Sequence, residues 1–247
     1  MLQVMGVDCV VSVDLQRPGQ GHEACFFDNT IPVESVYSGD IMAKFFIDKV
    51  KLENYKKTGA PKLAVVSANT KCVKKTRRFQ KYFEKELKTP VGFAVFLQTS
   101  KEGGSTQTSI EMSDVATRTD STEILGDVNG SDVVIVDEQV DTGATLAALC
   151  RKLKKEGARR IFICASHGLF SENSMNLINL SPVEQVIVTD SVPLAKDASP
   201  KIVQIPLAPM LARIVEANVI HMDSAKQDKR EQVFGSLLNE SEDLDLE

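Results

Sequence analysis

The sequence has no tryptophan, only three tyrosines and three histidines in 247 residues. The histidines, at positions 22, 167 and 221, are too scattered for a His-rich metal site. Its five cysteines, at 9, 25, 72, 150 and 164, form no CxxC pair and no zinc-like spacing. An odd, unpatterned set reads as reduced thiols in a cytoplasmic protein, with Cys164 inside a core strand. No apolar run approaches the roughly 18 residues of a membrane-crossing helix, so no membrane span is expected. The first residues carry acids early and lack the basic stretch of a signal peptide. Positive charge is not in excess: 29 Lys and Arg against 34 Asp and Glu give a net charge of −5. That balance is not the footprint of a general nucleic-acid binder. There is no internal repeat of solenoid period.

What is there is an ordinary globular mix, 43% hydrophobic and 26% charged, long enough for one or two domains with a real core. Short apolar, β-branched runs alternate with helix-length stretches. The runs lie at residues 9–13, 63–66, 93–97, 133–136, 161–165, 186–188 and 202–205. Runs of this kind suit strands buried on both faces of a parallel sheet. Within residues 70–88, positions 72, 76, 79, 83 and 87 step by 4, 3, 4 and 4, one face of a helix. Residues 146–155 form a second helix ahead of Gly157, and residues 38–51 a third. This βαβα alternation predicts an α/β fold. Residues 98–122, rich in Ser, Thr and Gly, read as a long loop or an exposed hairpin. Residues 240–247 hold five acids and no base, the composition of a disordered tail. A strand near residue 9 with almost nothing before it reads as part of a sheet that begins elsewhere.

The segment that carries chemistry is residues 132–145, DVVIVDEQVDTGAT. A strand delivers two adjacent acids, Asp137 and Glu138. A short loop then reaches Asp141-Thr142-Gly143-Ala144-Thr145 and opens a helix. Free backbone N–H groups at a helix N-terminus bind phosphate, aided by the helix dipole. Gly143 lets the backbone approach closely, the hydroxyls of Thr142 and Thr145 can donate, and carboxylates at the strand end can accept from a sugar diol. An acid pair beside a phosphate cradle is a recognition device for a ribose 5-phosphate group. Its expected place is the carboxyl end of a central strand.

This segment resembles the phosphoribosyl pyrophosphate loop of type I phosphoribosyltransferases and of ribose-phosphate diphosphokinases. Further matches pick out the second family. Gly126-Asp127-Val128-x-Gly130 resembles its G-D-V-x-G lead-in. Residues 166–171 (SHGLFS) resemble T-H-G-x-F-S, and residues 188–193 (VTDSVP) resemble V-T-[ND]-[ST]-[IV]-P. Val13-Asp14-Leu15-Gln16 resembles M-D-L-H. Phe26-Phe27-Asp28 followed by Ile31-Pro32-Val33-Glu34 resembles F-F-D-I-P-V-D with two residues inserted. The resemblance covers about residues 1–222. It implies a parallel-sheet phosphoribosyltransferase-type (type I) domain over residues 53–222, preceded in residues 1–52 by the C-terminal part of a second similar domain. Residues 223–247 would form a C-terminal extension. It also implies transfer of the diphosphate of ATP to ribose 5-phosphate with Mg²⁺, giving AMP and 5-phosphoribosyl 1-diphosphate, in a homo-oligomer or related assembly. By the same resemblance Asp137, Glu138, Asp141, Thr142, Gly143, Ala144 and Thr145 would hold ribose 5-phosphate. Asp14, Asp28 and Glu34 would align with the carboxylates associated with Mg²⁺, which are hard oxygen ligands of the kind that ion prefers.

Four departures from the family pattern bear on activity. Most of the first domain, which carries the ATP- and adenine-contacting residues, has no counterpart here. The histidine of M-D-L-H is Gln16, with His22 in the enlarged loop that follows. The S-P-D-x-G-G-x-K-R segment becomes residues 67–75 (SANTKCVKK), with Asn69 in place of the acid. Asn69 can still cap the next helix, and Lys71, Lys74, Lys75, Arg77 and Arg78 read as a basic, solvated face. Finally, the family's catalytic K-x-R after the strand at 93–97 is missing, which leaves Lys101 as the candidate catalytic cation. Two readings stand side by side. One is a ribose-phosphate diphosphokinase of which this chain is an incomplete part. The other is a non-catalytic subunit that binds ribose 5-phosphate or a nucleotide such as ATP or ADP and associates with a catalytic paralogue. Absence of K-x-R favours the second. A nucleobase phosphoribosyltransferase, sharing only the loop, is a third.

Overall fold

In the computed structural model, residues 4–15, 31–50, 62–98 and 122–222 are described. The chain divides into two compact units, Met1–Ile205 and Pro206–Glu247. In the first unit, β1 (Val10–Val13) and β2 (Val33–Val36) form a two-stranded parallel sheet. Helix α1 (Gly39–Val50) follows. A seven-stranded sheet is built from β3 (Lys62–Ser67), β4 (Gly92–Gln98), β5 (Thr122–Leu125), β6 (Ser131–Val140), β7 (Arg160–Gly168), β8 (Gln185–Thr189) and β9 (Ile202–Ile205). Its helices are α2 (Val73–Leu87), α3 (Ala144–Lys155) and α4 (Ser174–Leu180). The second unit contributes α5 (Ala208–Met222). Among the described residues no helix is long and apolar enough to cross a membrane.

The large sheet has the order β5-β4-β3-β6-β7-β8-β9 and is parallel except for the β4–β5 pair. The middle stretches of its central strands are apolar because both faces are covered there. On β6, Val133 and Ile135 face the cluster built with Leu149, Cys150 and Leu153 of α3. Val134 and Val136 face the opposite cluster, with Phe79 and Phe83 of α2 and Met42 and Phe46 of α1. Helix α1, which the sequence reading assigns to the remnant of a first domain, is thus packed on the large sheet. Phe46 is fully buried, 5.5 Å from the Phe83 ring and 5.0 Å from the Phe162 ring.

The expected helix over 70–88 is a 3₁₀ turn, Thr70–Cys72, followed by α2. Positions 72, 76, 79, 83 and 87 are its buried stripe. Lys88 ends it in a left-handed conformation. Cys164 is buried in β7, and burial raises its thiol pKa, so it stays protonated. The described cysteines 9, 72, 150 and 164 form no disulfide. The segment read as a loop or hairpin lies between β4 and β5, which pair antiparallel; residues 99–121 fall outside the described part. Gly126 closes the β5 edge. A Cβ there would sit 2.5 Å from the Phe93 carbonyl oxygen, so only glycine lets the chain turn back so near β4. The acidic stretch 240–247 also lies outside the described residues.

Candidate functional site

Strands β3 and β6 are parallel neighbours, paired from Lys62–Ser131 to Ser67–Val136. From β3 the sheet continues outward through β4 and β5, and from β6 it continues the other way through β7, β8 and β9. Connections leaving these two strands therefore diverge, and a crevice opens at their carboxyl ends, the topological switch point where open α/β sheets take ligands. A cavity of about 420 Å³ lies there. The loop after β3 (Ala68 to Lys71), the end of β4 (Phe96 and Leu97) and the β6–α3 connection line it.

The β6–α3 connection is local and tight. β6 runs to Val140, longer than the apolar run 133–136 predicts, because Gln139 and Val140 pair with His167 and Gly168 of β7. Gly143 caps α3 at φ 75°, a left-handed conformation that favours glycine. The Ala147 N–H is the first to return to the loop, bonding the Gly143 carbonyl at 2.8 Å. The N–H groups of the first turn, by helix geometry, have no carbonyl four residues back and face outward. Asp141 does not cap this helix. It accepts a hydrogen bond from the Ser171 hydroxyl of the SHGLFS segment, which fixes the loop from behind. Asp137, Glu138, Asp141, Thr142, Gly143 and Thr145 all border the cavity, and Ala144 is the first residue of α3.

Asp137 and Glu138 have different surroundings. Asp137 accepts from the Glu138 N–H at 2.8 Å, from the Asn69 amide at 3.4 Å and from the Cys72 thiol at 3.5 Å. Burial lifts its carboxyl above the usual range, against the hydrogen bonds, which lower it. Burial first, then Asp137, pushes the Cys72 thiol up to about 12, so it is a donor and not a nucleophile at neutral pH. Asn69 caps the turn that opens α2, accepting from the Lys71 and Cys72 N–H groups at 2.9 and 3.0 Å. Glu138 pairs with Lys75 at 3.0 Å, and Lys75 pairs also with Asp14 at 3.3 Å. Burial lowers the Lys75 pKa, but Asp14 and Glu138 outweigh it and the ammonium titrates above its ordinary value.

Asp14, one of the carboxylates expected near Mg²⁺, is buried in a left-handed conformation of φ 47°. Its Oδ2 accepts from the Ser38 N–H (2.8 Å), the Ser38 hydroxyl (2.5 Å) and the Ser166 hydroxyl (2.7 Å). With Lys75 on its other oxygen, both oxygens of this carboxylate are already engaged, a poor fit for a Mg²⁺ ligand as placed. Glu34 sits on β2 opposite Val11 of β1. Asp28, Gln16, His22 and Lys101 lie outside the described residues. Among the described residues no three His, Cys, Asp or Glu side chains come together as a metal-ligand set.

The basic face of α2 and the turn before it is solvated only in part: Lys71, Lys74 and Arg77 are exposed, whereas Lys75 and Arg78 are partly buried. Lys75 reaches Asp14 and Glu138, Arg77 stacks on Phe93 at 3.4 Å, and Arg78 pairs with Asp40 at 2.7 Å over the Tyr37 ring. Lys71 is the one cation among the described residues bordering the cavity. Neither the Lys71 nor the Lys75 placement is visible in sequence, because both follow from β3 lying beside β6. The only local signal is that the two lysines follow the loop at the carboxyl end of an apolar strand.

A family model described as "Phosphoribosyl synthetase-associated domain" matches residues 98–227, just over half of the chain. Similar curated proteins include a ribose-phosphate pyrophosphokinase of Corynebacterium efficiens, 30% identical over 216 residues, covering 87% of this chain and 57% of that protein. Ribose-phosphate pyrophosphokinase B of Dictyostelium discoideum is 30% identical over 215 residues, covering 86% and 59% respectively. The ribose-phosphate pyrophosphokinase of Vibrio cholerae is 46% identical over 94 residues, 37% of this chain and 30% of that protein. The chain thus spans less than three-fifths of the length of these relatives. A solved phosphoribosylpyrophosphate synthetase from Mycobacterium smegmatis superposes with a TM-score of 0.66 at 24% identity, over 88% of this chain and 61% of that one. That likeness shows a shared α/β phosphoribosyltransferase-type fold.

Proposed function

This chain belongs to the ribose-phosphate pyrophosphokinase family, and from that premise we propose that its crevice binds the phosphoribosyl group of ribose 5-phosphate. The observation that carries this reading is the β6–α3 connection, which puts Thr142, Gly143 and Thr145, at the start of α3, on the border of the cavity together with Asp137. The amides of Gly143 to Thr145 would take the 5-phosphate, each such bond to a charged group contributing about 1.5–3 kcal/mol. Asp137 would accept from the ribose diol, and Asp141, held by Ser171, would keep the loop in shape. Lys71 is placed to add one positive charge at the mouth.

For diphosphoryl transfer the described residues offer little. Stabilising charge on a transferring diphosphate is usually a large part of such catalysis. Lys75, Arg77 and Arg78 are committed to Asp14 and Glu138, to Phe93 and to Asp40, away from that task. We therefore favour a subunit that binds ribose 5-phosphate, or a nucleotide such as ATP or ADP, and works in an oligomer with a catalytic paralogue in cytoplasmic nucleotide synthesis. In this proposal residues 1–52 are the remnant of a first domain, 53–222 the phosphoribosyl-binding domain and 223–247 an extension. Lys101 stays the candidate cation for the competing reading, a working synthase.

Calorimetric titration with ribose 5-phosphate, beside an assay for AMP from ATP and ribose 5-phosphate, tests both points. The expected result is binding that Asp141→Ala weakens by about tenfold, or about 1.4 kcal/mol, with no ribose 5-phosphate-dependent AMP. Equal affinity in Asp141→Ala would remove the crevice as the site. AMP production by the purified chain would replace the non-catalytic reading with the synthase.

A further inference from the structure

We propose that the Lys75 ammonium is a tethered cation filling the position between Asp14 and Glu138, so that this position at the edge of the crevice holds no metal ion. This goes beyond the phosphoribosyl reading and rests on it only for its consequence, that ribose 5-phosphate binds without a divalent ion at these carboxylates.

Three observations converge. First, the Lys75 nitrogen lies 3.3 Å from Asp14 Oδ1 and 3.0 Å from Glu138 Oε1, and the three side chains are only 12%, 2% and 13% exposed. Two carboxylates this deeply buried need a counter-charge, since an unpaired buried ion is strongly destabilising. The chain supplies one itself. Second, the remaining Asp14 oxygen is already taken by three donors from Ser38 and Ser166. A Mg²⁺ ion demands near-octahedral oxygen ligands at short range and gives up its water reluctantly. To bind between Asp14 Oδ1 and Glu138 it would have to displace an ammonium tethered to the chain, with only one Asp14 oxygen left to offer. Third, the same substitution of a nitrogen donor for a cation recurs beside it. Asp137 faces the neutral Asn69 amide at 3.4 Å instead of another carboxylate. Each of these three carboxylates is therefore met by a donor from residues 69–75, the segment between the end of β3 and the first turn of α2.

Mn²⁺, whose free signal is lost on binding, serves as the metal probe by electron paramagnetic resonance on the full chain. Wild-type protein should show no Mn²⁺ uptake that Glu138→Gln removes; such uptake would overturn the proposal. Lys75→Met should gain one Mn²⁺ site that the double variant Lys75→Met/Glu138→Gln loses, and Lys75→Arg should behave as wild type. A folded Lys75→Met that takes up no Mn²⁺ would equally overturn it. Should Lys75→Met not fold, the wild-type measurements decide. Ribose 5-phosphate titrations of the wild type in Mg²⁺ and in EDTA should agree within about twofold, and a loss of about tenfold in EDTA would refute metal independence. No binding in either buffer would refute the phosphoribosyl reading alone, with the Mn²⁺ experiments still judging Lys75.

Discussion

Replacing Asn69 by aspartate is the most informative single change in the crevice, because it alters charge and little else. Asn69 Oδ1 caps the 3₁₀ turn through two N–H groups, and an aspartate oxygen would keep both bonds. The Asn69 amide, 3.4 Å from Asp137 Oδ1, would become a second carboxylate oxygen. Two like charges about 4 Å apart repel by about 4 kcal/mol at the effective dielectric typical of partly buried pairs. Placing the new acid at a helix start returns about 0.3–1 kcal/mol. With some relaxation, Asn69→Asp should lose about 2–3 kcal/mol of stability at pH 8. The pH dependence identifies the cause. Burial already raises the Asp137 pKa, and a neighbouring carboxylate raises it further. A raised folded-state pKa means the folded chain holds a proton that the unfolded chain has released. Stability is therefore lost as pH climbs from the unfolded value, about 4, through the folded one. Urea unfolding should show Asn69→Asp close to wild type near pH 4.5 and progressively weaker toward pH 8. A deficit that does not change with pH, or one below about 0.5 kcal/mol at pH 8, which is the size of an ordinary surface change, would refute the reasoning.

Gly143→Ala should weaken ribose 5-phosphate binding by about tenfold, because a non-glycine residue at φ 75° costs about 1–2 kcal/mol. The added Cβ would lie 3.8 Å from Ser174 Cβ, an ordinary contact, so the loss comes from conformation and not from a clash. Wild-type affinity in Gly143→Ala would show that the left-handed turn is not required. Phe46→Ala should destabilise the first unit by about 3–5 kcal/mol, the usual cost of emptying a buried aromatic site, since the Phe83 and Phe162 rings would both be left facing a void. A urea midpoint within experimental error of wild type would show that α1 is not anchored through this ring.

How much of the fold and site is legible in sequence depends on whether the signal is local. The seven apolar runs are visible because each strand is covered on one or both sides and carries β-branched residues. Residues 137–145 are visible because the loop, its glycine and its acids are contiguous. β2 and β5 escape notice since VESV and TEIL are short and carry polar residues. Helix α4 has only seven residues and no side-chain cap to announce it. The end of β6 is missed for another reason. Pairing with β7 holds acids in a strand that their own propensity would place in a loop. Strand order cannot be read from any of these segments. Without knowing that β3 lies against β6, nothing connects Asn69 with Asp137 or Lys75 with Glu138, partners more than sixty residues away.

The motifs outside the loop take on a different role once their contacts are known. SHGLFS and VTDSVP carry residue types that could act on a substrate, yet their polar atoms bind one another. His167 Nδ1 meets the Ser191 hydroxyl at 2.8 Å and its Nε2 meets the Val13 carbonyl at 3.2 Å. The Thr189 hydroxyl donates to the Ser166 carbonyl at 2.5 Å and lies 3.0 Å from the Ser191 hydroxyl, while the Ser166 hydroxyl donates to Asp14. These bonds close a ring from Asp14 through Ser166, Thr189, Ser191 and His167 back to Val13, the residue before Asp14. The ring ties the end of the small sheet to the carboxyl ends of β7 and β8. Lys75 then links it to Glu138 of the crevice, and Ser171, from the same SHGLFS segment, holds Asp141. Satisfied polar networks of this kind rigidify the geometry around them. What these motifs supply is the placement of Asp14, and through it of the lysine that sits beside the phosphoribosyl loop.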